Sequence, residues 1–362
     1  MFLALREFKH ARLRYALVTG VIVMVASLVF ILSGLANGLA SGNSEAIEAI
    51  DADGYVVTAG SEFLLDRSRL PEEVVSAVQE ADGIEDAQPL AASVGNVRNG
   101  DSDDVIGVSI IAVPPDTFLD PGASSGDSLA DAPDGIVIDQ SLVNEGISVG
   151  DTLTFDPSGV ELEVVGTVSG HQYRLAPTLF VTLDQLPEIN PESDGAPNAM
   201  VVRGDGEAID SLPDQIDNIM IGSETEMIES LPGYQEQALT LNLIQVFLIV
   251  IAAGIIAAFF FILTLQKMGE LGVMKALGAT TAELAKALII QAVILGGLGI
   301  LIGIGAGYIM QIVAQGTVPY QLDWMQVLIY GGLILLVAVI GTLLSLFRIA
   351  RVDPLDAINK AG

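Results

Sequence analysis

The 362-residue chain has no cysteine, two histidines and one tryptophan, and only 6% of it is aromatic. Without thiols it has no disulfide, no thiolate nucleophile and no cysteine-ligated zinc or iron–sulfur centre. Charged residues make up 17%, against roughly 25% in soluble domains. Basic residues are the scarcer sign, 15 against 45 acidic, for a net charge of −30. No Gly-x-x-x-x-Gly-Lys-Ser/Thr is present, so the chain holds no ATP in a phosphate loop of its own.

What it has instead is long apolar runs. Leu17–Leu39 is 23 residues without a charge, and most of Leu239–Leu265, Ala287–Val318 and Met325–Phe347 reads the same way. Each exceeds the ~20 residues a helix needs to cross a bilayer. The runs predict transmembrane helices over 16–39, 239–265, 284–314 and 325–347. The first could pass for a signal peptide, but its apolar run is too long, and it is read as a retained span.

Charge orients these spans. Arg6, Lys9, Arg12 and Arg14 precede the first, Lys267, Lys275 and Lys286 lie between the second and third, and Arg348, Arg351 and Lys360 follow the fourth. The segment 40–238 holds 39 acids and five arginines, and the loop 315–324 adds Asp323. The positive-inside rule puts both termini and the loop 266–283 in the cytoplasm, with 40–238 outside the plasma membrane. With no basic patch outside, nucleic acid is not an expected partner; membrane lipid is. Residues 1–15 read either as a basic amphipathic helix on the cytoplasmic leaflet or as an ordinary positive flank.

The outer segment mixes strands (Tyr55–Thr58, Ile106–Val113, Ile136–Ile138, Thr152–Phe155, Leu162–Val168, Leu179–Thr182), a short one at Val94–Val97 and a helix from Pro71. Without βαβ regularity this predicts an α+β domain inserted between helices 1 and 2 of a four-helix membrane protein. Pro114–Asp134 reads as a loop, and 348–362 as a cytoplasmic tail.

Several motifs favour bland readings. Gly126-Asp127-Ser128-Leu129 matches the start of an esterase motif but sits in an acidic loop, and coincidence is preferred. Asn99–Asp104 lacks the spacing of a calcium loop and reads as a solvated turn. No metal site and no catalytic set is expected. His171-Gln172-Tyr173-Arg174 groups an imidazole, a phenol and a cation in an acidic domain, although a polar loop between strands explains it as well. Glycines four apart at Gly299, Gly303 and Gly307, and at Gly34 and Gly38, let helix backbones approach closely. With Ala253, Gly254 and Ala257 of the second span, Gly34 and Gly38 are expected to pack helices, between subunits among other places. The amphipathic, glycine-interrupted loop Gln266–Ala279 suits docking into a cytoplasmic partner.

That loop also carries a resemblance. Glu270-Leu271-Gly272-Val273-Met274-Lys275-Ala276-Leu277-Gly278-Ala279 resembles the E-[IL]-G-x-[ML]-[KR]-A-[LI]-G-A motif of ABC-transporter permeases of the MacB/FtsX/LolC type. Gly135–Ile138, Ser148–Leu153 and Val164–Gly166 are similar to the core of that family's extracytoplasmic domain. Arg351–Ile358 is similar to its tail, with Asp356 in place of the usual Glu. The resemblance implies a homodimer served by two copies of a separate cytoplasmic ABC ATPase, which would hold the ATP and magnesium. ATPase coupling would fall by position on Lys267, Glu270, Leu271, Met274 and Lys275. The chain itself would not be an enzyme and would carry no cofactor. ATP-driven closure would expel a compound from the outer leaflet. Within the family the single short ectodomain is most similar to haem-efflux permeases. If haem is the substrate, candidate contacts are Glu45, Glu48, His171, Tyr173, Arg174, Met227 and Tyr234. A non-transport transducer acting on a cell-wall hydrolase, and export of peptide or lipoprotein, are the alternatives.

Overall fold

The computed structural model describes residues 12–100, 104–190, 193, 195–314 and 318–350. Most of the expected amphipathic helix, Asp101–Asp103 of the solvated turn and the tail motif lie outside them. The chain divides into a helical unit, Met1–Gly38 with Leu239–Gly362, and a second unit, Leu39–Ala238.

In chain order the elements are α1 (Arg12–Glu48), β1 (Gly54–Thr58), α2 (Glu72–Gln79), β2 (Ile84–Asn99), β3 (Ile106–Val113), β4 (Ser125–Gly126) and β5 (Ile136–Asp139). Then come α3 (Gln140–Asn144), β6 (Thr152–Asp156), β7 (Glu161–Val168), β8 (Thr178–Thr182), α4 (Leu186–Ile189), β9 (Ala199–Gly204) and α5 (Gly206–Gln215). The chain ends with β10 (Ile219–Gly222), α6 (Glu224–Glu229), α7 (Tyr234–Gln266), α8 (Met268–Ala276), α9 (Thr281–Ala314) and α10 (Trp324–Ala350).

Among the described residues, the helical unit holds four helices long and apolar enough to cross a membrane. Each expected run lies inside one helix, but α1 and α7 are longer than their apolar runs, taking in Glu45, Glu48 and Tyr234. Large apolar side chains face outward, among them Leu301 at 67% exposure and Leu328 at 71%, as suits lipid-facing helices. The interior is fastened by small residues. Gly299 and Gly303 of α9 lie against Ile22 and Ala26 of α1, and Gly307 faces Leu322. A Cβ at Gly303 would come 2.8 Å from that of Ala26, so the glycine is what permits the approach.

The second unit has the expected α+β character. The pairings β2–β3, β3–β8, β8–β5, β5–β7, β7–β6 and β6–β2 close a six-stranded ring. The β3–β8 and β5–β7 pairs are parallel, the rest antiparallel. Closure removes free sheet edges, and the ring is filled by Ile110, Ile136, Ile138, Leu153, Phe155 and Leu179. The antiparallel strands β9, β1 and β10 extend from β2 as a wing, and Val56, Met200 and Val202 pack there with Val78 of α2 and Leu212 of α5. Val94–Val97 proves to be part of one 16-residue strand serving both ring and wing. Pro114–Asp134 is irregular except for β4.

Candidate functional site

Within the second unit, the end of α1 meets the loop between β7 and β8. Ala46 N donates to Gln172 O (3.0 Å), Arg174 N to Asn43 O (3.0 Å) and Leu175 N to Gly42 O (2.9 Å). Arg174 and Leu175 turn at positive φ, 58° and 57°, and Ser109 Oγ fixes the loop by donating to Tyr173 O at 2.9 Å. This pairing gathers part of the expected set. Glu45 is half-buried, its carboxylate partly removed from water and met by the Gln172 backbone N–H, with Asp139, Glu48 and His171 as charged neighbours. His171 N donates to Asp139 Oδ2 at 3.2 Å, and its ring lies edge-on to Phe180. Nδ1 is 2.9 Å from Ser169 O; a carbonyl only accepts, so Nδ1 is the donor there.

The other expected residues are placed differently. Tyr173 is 3% and Met227 2% exposed, both in a core cluster with Leu231. Burial holds the Tyr173 phenol well above its usual pKa, so it stays neutral. Arg174 is already paired, its Nη1 2.8 Å from Asp66 Oδ2. Glu48 is exposed and accepts from Ser44 Oγ at 2.5 Å, while half-buried Tyr234 has Glu48 and Glu229 as charged neighbours. The cleft beside Tyr173, Arg174 and Met227 has room for about one water molecule.

In the helical unit the loop Gln266–Ala279 forms α8, with Glu270 in its first turn and Lys275 in its last, both signs matching the helix dipole. It stops at Gly278, whose φ of 98° suits glycine. Gly278 N donates to Lys275 O and Ala279 N to Met274 O, the paired bonds of a Schellman cap. Thr280 and Glu283 then start α9 with a reciprocal capping box: Thr280 N donates to Glu283 Oε2 (2.9 Å) and Glu283 N to Thr280 Oγ1 (3.3 Å). Of the five expected coupling residues, Glu270 faces out, Lys275 is half-buried, and Leu271, Met274 and Lys267 pack inward on α9 or line a cavity there. The outward face instead presents Val273 (52% exposed) and Leu277 (83%) beside Glu270. Spacing of three and four residues along one helix face is the signal that could have found them.

Three of the five small residues offered for helix packing have partners within this chain. Gly34 lies under the Tyr320 ring, Gly38 against the Pro319–Tyr320 backbone and Ala257 against Gly341; Gly254 faces open space and Ala253 is half-buried. Sequence reading missed a polar cluster joining the helices. Ser33 Oγ donates to Gln326 Oε1 (2.7 Å), Gln326 Nε2 to Asn37 Oδ1 (2.9 Å) and Tyr330 OH to Gln245 Oε1 (2.9 Å). Polar groups in hydrocarbon need such partners, so these bonds fix which helix faces meet.

Comparison with known proteins agrees with both halves of this architecture. The family model described as MacB-like periplasmic core domain matches residues 16–219, and that described as FtsX-like permease C-terminal matches 242–354. The chain therefore belongs to the MacB/FtsX-like family of ABC transporter permeases: it is a membrane protein with an extracytoplasmic domain. Among its relatives, a permease of Staphylococcus haemolyticus named for hemin transport, HrtB, is 28% identical over 360 residues, covering 99% of each chain. An uncharacterized ABC transporter permease of Mycobacterium tuberculosis is 24% identical over 366 residues, covering 100% of this chain and 99% of its own. A solved structure of the periplasmic region of MacB from Actinobacillus actinomycetemcomitans is similar at 14% identity and a TM-score of 0.38, covering 52% of this chain and 97% of that one.

Proposed function

We propose that the chain is the permease subunit of an efflux system in which a homodimer, driven by two copies of a separate cytoplasmic ATPase, expels an amphipathic compound from the outer leaflet, with haem as the substrate. The observation that carries the coupling role is the outward face of α8, Glu270, Val273 and Leu277, on a helix capped at its C-terminal end. An apolar pair beside a carboxylate is a surface suited to a partner's groove. The excess of cations flanking the spans supports an orientation with both termini and α8 in the cytoplasm.

Haem is suggested by the relative named for hemin transport, 28% identical along nearly the whole chain. The ectodomain's 39 acids would repel the propionates, which favours capture from the lipid side over capture from solution. Glu45, Glu48, His171 and Tyr234 keep exposed or half-exposed surface and are the proposed contacts; Arg174 would have to leave Asp66, and Tyr173 and Met227 would have to leave the core. The adjoining cleft is too small for a tetrapyrrole, so the proposed haem site forms only with a second subunit or on opening.

The test is haemin-stimulated ATP hydrolysis by the permease reconstituted with its ATPase. Leu277→Asp is expected to lower the stimulated rate at least about tenfold while leaving membrane insertion intact. Stimulation unaffected by this substitution refutes docking through α8. No stimulation by haemin in the parent refutes the substrate.

A further inference from the structure

The apolar run of α1 closes at Leu39, but the helix continues to Glu48. Polar side chains begin just past that point: Asn43 Nδ2 donates to Leu39 O at 3.2 Å and to Gln237 Oε1 at 3.3 Å. Gly42 stands three residues beyond Leu39, which is about 4.5 Å along a helix axis. The head-group layer extends about 5–7 Å beyond the hydrocarbon on each side of a bilayer, so Gly42 falls within it.

Gly42 is also where the loop between β7 and β8 meets α1. A Cβ there would come 3.0 Å from Gln172 Oε1 and 3.1 Å from Leu175 Cδ2, so the glycine lets the loop lie against the helix. The loop is fastened from several sides. Leu175 N and Arg174 N bond the backbone of α1, and buried Tyr173 has its N–H on Thr178 Oγ1 at 2.9 Å and its carbonyl on Ser109 Oγ. So held, Leu175 keeps a φ of 57° and stays 42% exposed. Left-handed backbone is costly for a bulky residue, and the surrounding bonds impose it while leaving the apolar side chain uncovered. One exposed leucine in water needs no explanation, but this one lies level with lipid head groups.

The charge pattern changes at the same place. The segment 40–238 carries 39 acids, yet Val164–Leu183, 20 residues centred on this loop, has none, the longest such interval in the segment. Lipid phosphates repel carboxylates and attract guanidinium groups, so an acid-free loop bearing Arg174 suits their company. The acids that approach from other elements are engaged or set back. Asp66 pairs with Arg174, and Asp139 accepts from His171 N and Ser141 N. Glu45 and Glu48 follow Gly42 along α1, farther from the apolar run.

We propose that this loop rests on the outer leaflet, with Leu175, Ala176 and Pro177 seated among the lipid head groups. Because Leu175 and Arg174 bond the backbone of α1, lipid contact here bears directly on the end of that helix.

The chain has a single tryptophan, Trp324, so Leu175→Trp combined with Trp324→Phe puts one reporter in the loop. The full-length permease, without ATPase or haemin, would be reconstituted in phosphatidylcholine nanodiscs, plain or brominated on the acyl chains near the glycerol, and titrated with acrylamide. Failure here would leave the proposed efflux function untouched. Brominated lipid is expected to lower the emission at least about twofold, and acrylamide to quench it less than the same reporter placed by Asp214→Trp at an exposed position of α5. Should Leu175→Trp not fold, Leu175→Cys in this cysteine-free chain carries a small fluorophore read with the same two quenchers. Acrylamide quenching equal to the Asp214→Trp control, with no effect of bromine, places the loop in water. Indifference to both quenchers places it under protein, such as a second copy of the chain. Either result overturns the proposal.

Discussion

The two units of this chain solve the burial problem in opposite ways. The extracytoplasmic unit hides its large apolar residues: Phe155, Ile136, Ile138 and Leu142 are each at or below 1% exposure inside or against a closed ring of strands. The helical unit leaves Phe247, Leu301, Val313 and Leu328 more than 60% exposed; it buries some large side chains, Phe30 and Phe260 among them, but brings its helices together at glycine and alanine. Hydrophobic burial drives folding where the solvent is water, but lipid tails are as apolar as leucine, so packing of small surfaces and polar bonds must take over. The same side chain thus contributes differently on the two sides of residue 39.

Three substitutions test that contrast. Phe155→Ala in the ring is expected to cost about 3–5 kcal/mol, because a buried aromatic leaves a cavity its neighbours cannot fill. Ectodomain proteolysis against urea would read it; a loss no greater than for a surface alanine would contradict the ring core. Gly303→Val should cost about 1–3 kcal/mol by forcing α9 off Ala26 and Ser27, whereas Gly305→Val, with nothing within reach of a Cβ, should be tolerated. Thermal unfolding in detergent compares the two, and equal shifts would remove the α1–α9 seam.

The smallest effect is expected at the Ser223–Glu226 capping box, which starts α6. Hydrogen bonds from Ser223 N and Oγ hold the Glu226 pKa below the usual carboxylate range. The contribution is therefore present above the ordinary glutamate pKa and is lost as pH falls through the lowered value. Solvent exposure makes it small, and Glu226→Gln should lose well under ~1 kcal/mol at pH 7. Comparing urea midpoints for parent and variant across acidic pH checks the sign: the gap should close on acidification.

The spans and α8 were legible because their signals are local. Uncharged runs of spanning length need no partner to be recognised, and Gly278 followed by Thr280-x-x-Glu283 spells a helix stop and a helix start. What escaped is long-range or rotational. Nothing near Gln172 announces that its carbonyl will meet Ala46 N, 126 positions away, and this pairing decides that His171 lies near Glu45. Ser33, Asn37, Gln245 and Gln326 read as stray polar residues until the helices are placed side by side. Leu271 and Met274 match the family motif as Leu277 does, and Val273 falls on its unspecified position, but a motif carries no inside or outside. Only packing on Leu284 and Leu288 assigns the faces.

Strand β2 has a mechanical meaning. Residues 84–90 pair with β9 of the wing, 91–97 with β3 and 96–99 with β6 of the ring, so one unbroken backbone is the spine of both. The chain enters through β1 and leaves after β10, which pair with each other in the wing. Tyr55 lies opposite Gly222, so a tug that separates those two points meets the β1–β10 hydrogen bonds one pair at a time, from that end. The ring lies beyond, reached through β9 and the unbroken backbone of β2, so the wing yields before the ring is loaded.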